Sequence, residues 1–153
     1  MRNWKIYTLA LALGCYGSSV VLADGGGSGG GRSSKLAPIQ ELIDAEKYQQ
    51  AIGKLDDALS DDPDNPDLLN LVAFSHRQLE RFEIALNYYR KALQADPGHR
   101  GANEYLGELY LRLGQLDKAE ERLAVLDKKC FFGCDEFDKL EKAIEDYRKL
   151  HSP

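Results

Sequence analysis

The chain has 153 residues, 43% of them hydrophobic and 29% charged, and a net charge of −5. That length matches one ordinary domain, and the acidic balance argues against nucleic acid or an anionic membrane surface, both of which need a basic patch. Three cysteines are too few to build a disulfide scaffold, and no apolar run reaches the roughly 18 residues of a membrane span.

Residues 1–23 read as a secretory signal. Arg2 and Lys5 make a positive start, Ile6 to Gly14 is short and apolar, and Val21-Leu22-Ala23 offers compact groups before a cut. Cleavage is expected after Ala23, which places the mature protein outside the inner membrane, in the periplasm. Ala12-Leu13-Gly14-Cys15 offers a rival reading, because it resembles loosely the lipobox of bacterial lipoproteins. Ala12 departs from the leucine usual there, so an acyl anchor on Cys15 is the less favoured alternative. Residues 24–35 follow as a linker, with a glycine run from Gly25 to Gly31 that has no side chains to bury. No apolar strand precedes that run and no lysine-serine pair follows it, so it is not a phosphate-binding loop.

From residue 36 onward one period governs the chain. Tyr48, Phe82 and Leu116 are 34 apart, as are Ala51, Ala85 and Ala119, and Leu55, Tyr89 and Leu123. Ala58 and Ala92, and Pro63 and Pro97, keep the same step. A fixed period marks a stacked repeat. Each unit predicts two helices, an all-α helical-hairpin solenoid. The first, 36–64, begins with a short helix having Pro38 in its first turn and ending near Glu46. The second, 65–98, opens on the cap Asn65-Pro66-Asp67. It turns at Glu80-Arg81 and stops at Asp96-Pro97-Gly98. The third, 99–129, turns at Gly114. Small residues at Ala73 and Ala85, and at Gly107 and Ala119, are expected where the two helices of one unit touch.

These residues resemble the tetratricopeptide repeat. Unit two matches with Leu69, Val72-Ala73, His76, Ala85, Tyr89, Ala92 and Pro97, and unit three with Leu106-Gly107, Tyr110, Gly114, Ala119 and Leu123. Unit one keeps Tyr48, Ala51, Leu55, Ala58 and Pro63. The resemblance covers about Leu36 to Lys129 and is specific for fold but not for function. It implies a concave surface lined by the first helices, with Gln40, Asn70, Phe74, Arg77, Glu104, Glu108, Leu111 and Arg112 facing a protein or peptide partner. Leu36, Ile43 and Asp67 belong to the same face. Family members that clamp a terminal carboxylate use lysine, asparagine and arginine where this chain has Leu36, Gln40, Leu71, Gly101 and Tyr105. That clamp is not carried over.

The final segment, 130–153, is a cysteine-bracketed turn and a capping helix. Phe137, Leu140, Ile144 and Tyr147 form one apolar stripe, and Leu140 and Ile144 fall 34 after Leu106 and Tyr110. Cys130 and Cys134 bracket Phe131-Phe132-Gly133. In an oxidising compartment a structural disulfide is the first reading. A thiol pair holding copper or exchanging disulfides is the alternative, which would make the protein a metal or redox accessory. Phe131 and Phe132 are expected to pack under the cap. No catalytic constellation emerges: His76 reads as a buried, hydrogen-bonded filler, His99 as solvent-facing, and neither a cofactor nor a metal ligand set is assigned. The sequence therefore predicts a non-enzymatic, exported interaction scaffold that assists an envelope assembly.

Overall fold

The computed structural model describes residues 30–152. The signal segment, Cys15 and the linker up to residue 29 lie outside them. Among the described residues there are seven helices and no strands. They are α1 (Gly30–Asp44), α2 (Tyr48–Asp61), α3 (Pro66–Gln78), α4 (Phe82–Ala95), α5 (Arg100–Arg112), α6 (Leu116–Lys129) and α7 (Asp135–His151). Helices α1 and α2, α3 and α4, and α5 and α6 pair in turn, each pair packing on the next, and α7 packs on both α5 and α6.

The same local chemistry closes each pair. At the end of α3, Arg81 N–H donates to the His76 carbonyl and Glu80 N–H to that of Arg77. Lys47 to Leu42 with Glu46 to Ile43, and Gln115 to Tyr110 with Gly114 to Leu111, repeat the two bonds one unit before and one unit after. This crossed pair satisfies the last helical carbonyls and needs a left-handed residue between them. Glu46, Glu80 and Gly114 hold it, with φ of 57°, 58° and 71°. Only the third is glycine, so the first two turns carry a steric cost that their units' packing must outweigh.

Helix starts differ more. The Asn65 side chain accepts from the N–H groups of Asp67 and Leu68, the expected cap. At the matching position His99 caps α5: its Nδ1 accepts from Ala102 N–H at 3.0 Å, and its Nε2 lies 3.0 Å from Asp67 Oδ1. His99 is therefore not solvent-facing; it ties the start of α5 to the start of α3.

Helix α1 departs from expectation at its start. It begins at Gly30, so residues 30–35 are helix rather than linker, while its end at Asp44 lies near the expected one. Pro38 lies inside the helix, not in its first turn. The cause is tertiary: Ile39 and Ile43 are buried against Ala51, Leu55, Leu68 and Val72. Once that stripe docks, extending the helix backward costs only about 1 kcal/mol per glycine.

The core runs the length of the stack in two clusters. Ile39, Ile43, Leu55 and Val72 form the first; Leu69, Ala73, Ala85, Tyr89, Leu106, Leu109, Leu126, Leu140 and Ile144 belong to the second. Leu59 and Tyr88 pack against both. Leu140 and Ile144 are fully or nearly fully buried, so α7 continues the register as a fourth unit's first helix. Gly107 makes room for it, and here the expected contact shifts. A Cβ at Gly107 would stand 2.6 Å from Leu140 Cδ2, so the space is taken by α7 rather than by the glycine's own partner helix α6. One step further along the repeat this position is Glu141, which is exposed.

Gly107→Ala tests that contact. A helical alanine is intrinsically favoured over glycine by about 1 kcal/mol. Overpacking against the buried Leu140 outweighs this, for a net loss of about 1–2 kcal/mol in urea denaturation. An unchanged or raised midpoint contradicts the packing described.

Candidate functional site

The residues expected to face a partner lie on α1, α3 and α5, and the structure sorts them into distinct roles. Arg77 is the centre. It projects from the last turn of α3 and is only 5% exposed. Its Nη1 donates to Glu108 Oε2 on α5. Its guanidinium carbon lies 5.4 Å from the Phe74 ring centre and 5.1 Å from that of Tyr105. Phe74 and Tyr105 lie 5.0 Å apart, and Tyr48 meets Phe74 edge-on at 6.2 Å. Phe74, expected to face a partner, is half-buried in an aromatic and cationic cluster joining units one, two and three. A cation over aromatic faces is attracted by the ring quadrupoles and is worth about 0.5–2 kcal/mol per contact. Arg77 also lies near Tyr89, whose phenol burial pushes far upward while the guanidinium pulls it back.

Glu104 is the second distinctive group. One turn before Glu108 on α5, it is 3% exposed, and its closest cation, Lys139 Nζ of α7, stands 3.9 Å away. Burial pushes its carboxyl up to about 7; Lys139 and Arg77 oppose that shift, and Glu108 and Glu136 add to it. Asn70 occupies the matching position one repeat earlier. It is 7% exposed, and its Oδ1 is buried with no hydrogen-bond partner.

The remaining expected positions are less special. Gln40 is exposed and bonds Asp44 within α1. Leu111 is buried, and Arg112 is exposed; both line an open cleft with Ala143, Tyr147 and Leu150 at the far end of α5 and α7. Ile43, expected on the inner face, is core. His76 is buried and stacked on Tyr88, but its Nδ1 has no hydrogen-bond partner, and burial lowers its pKa. Filler it is, though not the hydrogen-bonded one expected.

Cys130 and Cys134 close the turn before α7, with Cα atoms 5.5 Å apart and their sulfurs bonded. Bonded sulfurs have no free thiolate to offer a metal. Among the described residues no group of three or more histidine, cysteine or acidic side chains is placed to hold a metal ion, and no helix is long and apolar enough to cross a membrane. Phe131 and Phe132 do not pack under the cap. They are 87% and 99% exposed and touch each other edge-on at the tip of the closed loop. The short loop aims both rings outward, away from α7.

Comparison with known proteins agrees with this geometry. A family model described as tetratricopeptide repeat matches residues 76–129. The chain is 33% identical over 78 residues to the TPR repeat-containing thioredoxin TTL4 of Arabidopsis thaliana, covering 51% of this chain and 11% of that protein. It thus spans about a tenth of that relative's length. Among solved structures, PcrH in complex with the chaperone binding region of PopD superposes with a TM-score of 0.67 at 16% identity, covering 78% of this chain and 92% of that one. The first TPR of Spaghetti (RPAP3), bound to the HSP90 peptide SRMEEVD, gives 0.64 at 18% identity, covering 74% and 90%. Residues 76–129 match the tetratricopeptide repeat by sequence, and the described residues have the all-helical repeat fold of these solved structures.

The state of Glu104 sets a pH dependence. A carboxyl raised to about 7 in the folded chain, against 4.5 unperturbed, binds protons more readily folded than unfolded. Its ionisation therefore costs stability as pH rises through that interval, and the cost is fully present above about 7. Glu104→Gln removes it. The variant should melt above the wild type at pH 8, and the difference should shrink as pH falls toward 4.5. A variant that melts lower at pH 8 would mean that the Lys139 pair outweighs desolvation.

Proposed function

We propose that this protein is an exported scaffold that holds a segment of another protein along the inner face of its first helices, assisting an assembly in the cell envelope. The observation that carries the reading is the cluster of Phe74, Tyr105, Arg77 and Glu108, which fixes the spacing of α3 and α5 and leaves a half-buried aromatic pair beside charged groups. Half-buried aromatics with polar surroundings are the usual energetic anchors of protein interfaces. Two solved structures of the same fold support it, one holding a bound peptide and the other the chaperone binding region of PopD. Export rests on residues 1–23, with cleavage after Ala23 and a disulfide between Cys130 and Cys134 stapling the turn before α7. That short closed loop contributes on the order of 2 kcal/mol at best.

Affinity purification from the envelope fraction, comparing wild type with Phe74→Ala, tests the binding reading. Arg77 is too deeply packed to serve, so a thermal melt accompanies Phe74→Ala to show that the stack persists. Partner recovery is expected to fall by roughly tenfold, the effect of losing one anchor residue. Undiminished recovery by a folded variant removes the groove. For export, the intact mass of the native protein should begin at Asp24 and show no free thiol before reduction. An acyl mass on Cys15 would replace the cleaved form with the anchored one, and two reactive thiols would remove the staple.

A further inference from the structure

The loop between α6 and α7 departs from the repeat, and the departure faces solvent. Asp62 and Asp96 are the C-caps of α2 and α4, as Cys130 is of α6, and the three fall 34 apart. In the middle loop the Asp96 carboxylate accepts from Gly98 N–H, and Pro97 and Gly98 complete a polar turn. The third loop has Phe131-Phe132 where the earlier ones have Pro63-Asp64 and Pro97-Gly98, and the Cys130–Cys134 bond closes it instead. The repeat therefore turns this corner without aromatics, and the two rings are surplus to folding. Cys130 packs on the core at the root of the loop, and Gly133 bends it with a left-handed φ of 84°. The result is a braced tip carrying two almost fully exposed rings.

Water is a costly surrounding for that tip, and its area selects the cover. Two phenylalanine side chains offer about 400 Å². That is half of the roughly 800 Å² that each partner buries in a stable protein interface, a second copy of this chain included. A lipid bilayer sets no such minimum, because it closes around a small projecting group and binds in proportion to the apolar area it takes up.

Charge complementarity decides which bilayer. Lys128 and Lys129 precede the tip and Asp135 follows it; all three are exposed and have no ion-pair partner among the described residues. The Lys129 stem crosses Gly98, which keeps its ammonium at this end of the stack. A zwitterionic headgroup offers phosphate to the lysines and a cation to the aspartate. An anionic surface would repel Asp135, and with it Asp64 and Asp96, exposed in the two earlier loops at the same end.

We propose that Phe131 and Phe132 dock this end of the stack on a zwitterionic lipid bilayer. The rings enter the boundary between headgroups and acyl chains, and the charged flanks stay among the headgroups. The attachment is shallow and reversible. It uses none of the groove residues, so it stands or falls apart from the groove.

Flotation with phosphatidylcholine vesicles tests this on the mature chain, residues 24–153, with its disulfide formed. Cys15 is not in that chain, so no acyl group contributes. Replacing both rings, Phe131→Ser with Phe132→Ser, should lower the partition coefficient at least about tenfold. The melting temperature should not change, because neither ring packs on the stack. The chain's one tryptophan, Trp4, is also absent from the mature form, so Phe131→Trp supplies a clean probe. Its emission should shift to the blue on adding vesicles and be quenched by brominated phosphatidylcholine. Absence of flotation, equal flotation of the serine variant or an unshifted tryptophan overturns the proposal. Flotation only with phosphatidylglycerol present, reversed by salt, would assign the contact to the lysines and overturn it as well. So would a wild type that does not float but loses a protein partner when the rings are replaced, since the tip would then be a protein anchor.

Discussion

No helix pair of this chain can bury its apolar face alone, and everything else in the structure follows from that constraint. Each pair offers a stripe that only the next pair covers, so Leu55 and Val72 share one cluster and Leu69 and Leu106 the next. The stack must therefore be ended as deliberately as it is propagated. Helix α7 covers the last pair by inserting Leu140 where Gly107 has no side chain.

The same constraint explains the groove. Stacking places α3 and α5 side by side and brings Arg77 under Tyr105 and against Glu108, across 31 residues of sequence. Arg77 is thereby a structural cation rather than a free hand for a ligand. The half-buried aromatic pair it stacks on is what the proposed groove offers a partner.

Much of this was legible in the residues. The period, the Asn65 cap, the Gly114 turn and the place of Leu140 and Ile144 are local or strictly periodic signals, and the structure follows them. What was not legible depends on neighbours distant in sequence. The backward extension of α1 through Pro38 follows from docking of Ile39 and Ile43, which overrides the local signals of glycine and proline. The cap at His99 escaped because histidine seldom caps; its position matching Asn65 was the signal available. Glu104 and Glu108 look alike in sequence, yet one is desolvated under α7 and the other paired with Arg77. The outward Phe131 and Phe132 run against the rule that large apolar groups hide, because a four-residue closure leaves no inward direction for them.

The central claim is that a partner lies along the inner face and not on the outer helices. Site-specific photo-crosslinking in the native envelope tests it with little disturbance to the fold, since Gln40 and Arg112 are exposed inner positions and Asp57 and Gln94 exposed outer ones. The account predicts one common adduct from Gln40 and Arg112 and none from Asp57 and Gln94. The same adduct from the outer positions, with silence from the inner ones, would contradict it.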